Sequence, residues 1–206
     1  MSILPKLASS QERRDEEPNK ELGRKLVKEN DTAGIQEAAD NLHHEDKRIQ
    51  SDCLSVLEQV GHLNPALIEN YAADFLKLIT SKENRLVWAA MINLALIADR
   101  KPKEIFDNFE KIVRVMETGS VITIDNGIKV LARIAAASAE YNREIMPFLF
   151  EQLRTCRSKS VPQYSESIAV AVNPNNQAQF IEILHYRMDH LSDSQRRRVQ
   201  KILNSN

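Results

Sequence analysis

The chain predicts an all-α fold, a right-handed α-α superhelix in which antiparallel helix pairs repeat about every 37 residues. Three observations carry this expectation. Only 5 Gly and 7 Pro occur in 206 residues and aromatics make up 5%, too few turn formers and ring side chains for a β-sandwich or barrel. From Asn19 onward, apolar residues recur at helical spacing in segments of about 11–18 residues, separated by short runs of Asn, Asp, Ser, Gly, Pro and Lys. Finally, equivalent apolar columns return at one fixed offset, the signature of stacked units rather than a closed globule.

In chain order, residues 1–18 hold the run Gln11-Glu12-Arg13-Arg14-Asp15-Glu16-Glu17-Pro18 and are expected to form a mobile N-terminal arm. Docking of Ile3, Leu4 and Leu7 is the alternative. Residues 19–206 are expected to form one repeat domain. Helices are expected near 20–29, 31–42, 46–60, 64–80, 84–98, 102–117, 121–138, 141–157, 161–172, 176–190 and 193–203, paired as 31–61, 64–98, 102–138, 141–172 and 176–204. Asn64-Pro65 and Ser160-Val161-Pro162 put Pro in or near a first turn, where its missing N–H costs nothing. Asn175 and Ser192 are of the type that caps orphan helical amides.

The repeat is read from five columns. In the second helices, Ile49, Leu86 and Thr123 are 37 residues apart, and the register continues through Cys53, Ala90 and Gly127 to Leu57, Leu94 and Leu131. In the first helices, Leu42, Ile79, Met116 and Leu153 keep the same offset, as do Ala39, Leu76, Val113 and Phe150. Each pair cannot bury its apolar face alone, so stacking supplies the core. The expected core comprises Leu42, Ile49, Leu57, Leu76, Ile79, Leu86, Ala90, Leu94, Ile97, Val113, Met116, Leu131, Ile134 and Leu153. The spacing of an aliphatic residue, a small residue four later and a Leu four after that resembles the HEAT and armadillo-like α-solenoid repeats, over about residues 31–172. The Arg that often follows the aliphatic position in HEAT units is replaced here by Gln50, Val87 and Ile124. The resemblance implies a scaffold whose second helices line a concave binding face.

A formal charge of −1 supplies no global field toward nucleic acid or an anionic membrane, so such binding would need a local patch. Cys53 and Cys156 show no CxxC pairing and fit reduced thiols. The longest apolar run, Val87 to Ala98, is too short to span a bilayer, and the first residues lack the basic and apolar segments of a secretory signal. A cytoplasmic protein with no membrane partner is therefore expected.

Phosphate loops, nucleophile elbows, HExxH helices and dinucleotide fingerprints are missing from the sequence. No catalytic residue, metal ligand or cofactor is expected, and the chain is read as not an enzyme. His43-His44 falls in a turn whose adjacent side chains diverge, and His185, Asp189 and His190 read as surface polarity. Cys53 occupies the small-residue column. Cys156 lies between Arg154 and Arg157, a setting able to lower a thiol pKa, although an ordinary thiol is the simpler reading. Arg196-Arg197-Arg198 point about 100° apart and read as the polar outer face of a terminal repeat.

The lone Trp is the candidate focus of recognition. Trp88 shares a column with Ser51 and Asp125 that flanks the core set. Arg85, Trp88, Asp125, Lys129 and Arg133 are therefore expected to form a mixed patch for a protein partner, with Arg85 approaching Asp125 from the neighbouring rung. Packing of Trp88 between repeats is the alternative. Two further functional readings compete with a protein-binding scaffold. One is a DNA-binding or alkylpurine DNA glycosylase-like protein, since Trp88 with Asp125 is similar to the aromatic-plus-Asp arrangement of that HEAT-like family, although near neutrality disfavours nucleic acid. The other is a structural subunit of a larger assembly.

Overall fold

A computed structural model describes residues 2–205. Among them are twelve α-helices and no strand, and the chain divides into two compact units, residues 1–123 and 124–206.

The first unit begins with the segment expected to be a free arm, and it is docked. Ile3 and Leu7 are fully buried and Ala8 nearly so, at the ends of two short 3-10 turns, Leu4–Lys6 and Ser9–Gln11. The cause is backbone satisfaction as much as apolar burial. The Ile3 amide donates to Glu37 Oε2 at 3.0 Å, the Ala8 amide to Asn19 Oδ1 at 2.9 Å and the Ser9 amide to Asp52 Oδ2 at 2.8 Å. Polar groups that a free arm would leave to water thus find fixed partners.

Helix α1 (Glu17–Lys28) carries Pro18 in its first turn and buries Leu22, Gly23 and Leu26. It ends where Asn30 turns left-handed at φ 52° and the Asp31 amide returns to the Leu26 carbonyl at 2.9 Å, a C-terminal cap that needs little but a residue tolerant of positive φ. Asp31 then caps α2 (Thr32–Asp40), its side chain accepting from the Gly34 amide. Helix α3 (Lys47–Leu63), capped by Asp46, packs against α1 on one side and α5 (Asn84–Ile97) on the other. Gly23 permits the approach to α1: a methyl there would lie 2.8 Å from Gln59 Cβ and 2.9 Å from the Val56 carbonyl oxygen. Asn93, fully buried on α5, donates across to the Leu54 carbonyl of α3 at 3.2 Å.

The first-helix positions are less regular than expected. Residues 64–80 form two 3-10 turns and then α4 (Ala72–Leu78). The helix expected over 102–117 is broken into α6 (Pro102–Phe106) and α7 (Phe109–Thr118). Asn108 is the reason: its side-chain amide takes the Glu104 carbonyl at 3.1 Å, and its backbone amide turns to Ile105 instead. The break resets the helical phase. Ile112 and Met116 face the core, and Val113, expected inside, is half-buried. Ile49 is half-buried as well, because Gln50 turns inward and donates to the His44 carbonyl at 2.5 Å. The other expected core residues are buried.

The second unit holds most of α8 (Val121–Ala137), followed by α9 (Ala139–Thr155), α10 (Val161–Ala169), α11 (Gln177–Met188) and α12 (Asp193–Leu203). Within it α9 packs on α10 and α11, and α12 on α10 and α11. Asn142 ties three segments together. Its amide donates to the Ala135 and Ala171 carbonyls at 3.1 and 2.8 Å, and its oxygen accepts from Asn173 and Asn176 at 3.0 and 2.9 Å. Ser192 and Gln195 form a reciprocal capping box on α12, while Asn175 makes no cap, Asn176 being the residue that precedes α11.

Candidate functional site

The first unit contains a cleft of about 680 Å³, built where the docked N-terminal segment crosses the first turns of α3 and α5. Asp52 holds its floor. This carboxylate, 6% exposed, accepts from the Ser9 amide and from Asn19 Nδ2 at 2.9 Å, fastening the segment to α3 and α1 together. Ser51 also lines the floor, buried, and its Oγ has no hydrogen-bond partner.

The walls carry five cations, Arg13, Arg14, Lys47, Arg48 and Arg85, and four further carboxylates, Glu12, Asp15, Glu16 and Glu83. Several are already paired. Arg13 meets Asp15 at 2.8 Å, Arg48 meets the α3 cap Asp46 at 2.7 Å, and Arg85 meets Glu16 at 2.7 Å. The Arg13 guanidinium beside Asp15 holds that carboxyl below its usual range, and Arg48 holds Asp46 down at about 2. Among the described residues, Arg14, Glu12 and Glu83 make no ion pair. The result is a concave surface with charges of both signs, some still open to a ligand, over partly apolar walls that include Ala8 and Leu86.

The residues expected to form one patch divide between the units. Arg85 and Trp88 lie in the first, Arg85 exposed and Trp88 half-buried on α5. Asp125, Lys129 and Arg133 lie on α8 in the second. Arg85 pairs with Glu16, a carboxylate that the docked segment brings to it within its own unit. Asp125 instead stands near Tyr164 of α10, whose phenol is raised above its ordinary pKa by burial first and by the Asp125 charge second. One Asp125 oxygen is buried without a hydrogen-bond partner among the described residues. Lys129 Nζ reaches Asn126 Oδ1 at 3.2 Å, and Arg133 is exposed.

Neither thiol is activated. Burial pushes Cys53 up to about 12. Burial also raises Cys156, and the opposing charges of Arg187 and Arg157 do not overcome it. Among the described residues no group of three or more His, Cys, Asp and Glu is arranged to hold a metal ion, and no helix is long and apolar enough to cross a membrane.

The sequence signals for this cleft were present but dispersed. Ile3 and Leu7 are spaced four apart before a charged run, and Ser51 belongs to the Trp88 column. That Asn19 and Asp52 would receive backbone amides of the N-terminal segment depends on tertiary contact, which local periodicity does not encode.

No family model matches the chain, and no curated protein matches it significantly in sequence. Solved structures do match in fold. The chain is similar to an engineered protein from the Northeast Structural Genomics Consortium, with a TM-score of 0.71, 20% identity, and coverage of 98% of this chain and 94% of that one. It is similar to a designed armadillo repeat protein in complex with the peptide (KR)4, with a TM-score of 0.70, 14% identity, and coverage of 88% and 84%. Kap121p matches at a TM-score of 0.61 and 16% identity, over 82% of this chain and 18% of its own length. The fold is thus an all-α helical repeat of the HEAT and armadillo type.

Proposed function

We propose that this helical-repeat chain is a non-enzymatic protein-binding module, and that the cleft between its N-terminal segment and the starts of α3 and α5 receives a peptide segment of a partner. One observation carries the reading. A concave surface of about 680 Å³ combines unspent charges of both signs with an unpartnered Ser51 hydroxyl, groups that a peptide backbone and mixed side chains would satisfy. Arg85 on the cleft wall adds a guanidinium, and Trp88, three residues further along α5 and outside the cleft's lining, is proposed as a flanking aromatic contact, both being side-chain types that dominate recognition energy. The designed armadillo protein in complex with the peptide (KR)4 supports the general reading that such a fold takes peptides. Lys129 and Arg133, on α8 of the second unit, are proposed as a separate partner contact.

Selection from a displayed random-peptide library tests this. Peptides enriched on the wild type are expected to lose binding to Arg85→Glu and Trp88→Ala, with Arg85→Glu leaving the thermal midpoint within about 2 °C, since exposed ion pairs contribute about 0–1 kcal/mol. Selection that enriches no peptide, or peptides indifferent to both substitutions, rejects the proposal.

A further inference from the structure

The first unit carries a second groove, separate from the cleft above, of about 570 Å³ between the turn before α5 and the face of α7. Its charge is of one sign. Lys82, Lys111 and Arg114 line it, and no Asp or Glu does. None of the three makes an ion pair or a side-chain hydrogen bond with a described residue, although the chain as a whole has 29 acidic residues for 28 basic ones. Lys111 and Arg114 are three apart on α7 and so share its face. Of the carboxylates near these cations in sequence, Glu83 lines the other cleft, and Glu110 and Glu117 of α7 do not line this groove. The floor is apolar, with Ile79, Val87 and Val115. The first turn of α5 adds positive potential from amides that no side chain caps.

We infer that this groove binds an acidic peptide segment with interspersed aliphatic side chains, supplied by a partner protein. Three cations gathered without counter-charges attract carboxylates and repel basic ligands. The aliphatic floor gives a peptide's apolar side chains a surface to bury, which a phosphate backbone does not use. A nucleic acid would also need a longer basic stripe than three side chains to track its phosphates. The inference uses no residue of the Arg85 cleft and stands independently of it.

Fluorescence anisotropy with a labelled octapeptide alternating Glu and Leu tests it, beside the Lys and Leu counterpart and a single-stranded oligonucleotide. The acidic peptide is expected to bind, to weaken as salt rises from 50 to 300 mM, and to lose about tenfold in affinity on the double substitution Lys82→Glu and Arg114→Glu. Both positions are exposed, so the helical circular dichroism signal is expected to stay unchanged. Arg85→Glu is expected to leave this affinity alone, which separates the groove from the first cleft. Equal or tighter binding of the basic peptide or the oligonucleotide, no binding of the acidic peptide, or indifference to the double substitution would overturn the inference.

Discussion

Replacing Asp52 with Ala is expected to detach the N-terminal segment and destabilise the first unit by about 3 kcal/mol. The side chain is 6% exposed and accepts two hydrogen bonds, from the Ser9 amide at 2.8 Å and from Asn19 Nδ2 at 2.9 Å. A hydrogen bond to a charged group contributes roughly 1.5–3 kcal/mol, and a buried donor left without an acceptor costs about 1–3 kcal/mol. The Ser9 amide escapes much of that cost if the segment lifts into water, but lifting exposes Ile3 and Leu7, each worth about 1.5–3 kcal/mol when buried. The substitution is therefore expensive by either route. Urea unfolding gives the stability change, and amide hydrogen exchange at Ala8 and Ser9 reports whether the segment has lifted. A loss below about 0.5 kcal/mol, with those amides still protected, would refute the role given to Asp52.

Other substitutions probe the packing elsewhere. Gly23→Ala gains about 1 kcal/mol of helix propensity but forces α1 away from the Val56 carbonyl at 2.9 Å, a backbone clash of roughly 1–3 kcal/mol, so a net loss near 1 kcal/mol is expected in the urea midpoint. Asn142→Ala removes four hydrogen bonds from a buried hub and is expected to cost about 3–4 kcal/mol, seen as a lower thermal midpoint of the second unit. The Cys53 thiol stays protonated in the folded chain to about pH 12, against an ordinary value of 9.0. The unfolded state therefore binds fewer protons between those values, and stability falls as pH rises through that window. The loss from this group reaches about 1.4 kcal/mol by pH 10. Comparing wild type with Cys53→Ala at pH 8 and pH 10 isolates it, and the variant is expected to show a shallower decline.

Helix existence and the repeat register were legible because both are written in local spacing. Leu42, Ile79 and Met116 in the first unit and Leu153 in the second are all buried, as the register predicts for each. The errors came from contacts between distant residues and from polar side chains competing with the backbone. Asn108 breaks a helix by taking the Glu104 carbonyl, and Gln50 displaces Ile49 by reaching His44. The docked segment is held by Glu37, Asn19 and Asp52, 11 to 43 residues away from the amides they accept. The site was less legible for the same reason. Trp88 and Arg85 could be nominated by residue type and column, but the partner of Arg85 is Glu16, 69 residues distant and in a segment without helical periodicity.

Recognition at the Arg85 cleft is tested most directly by amide hydrogen exchange on the full chain, with and without a library-selected peptide. New protection is expected in residues 8–16 and in the first turns of α3 and α5, with residues 161–203 unchanged. Protection confined to residues 161–203, or a bound peptide that leaves residues 8–16 and those turns unaltered, would contradict it.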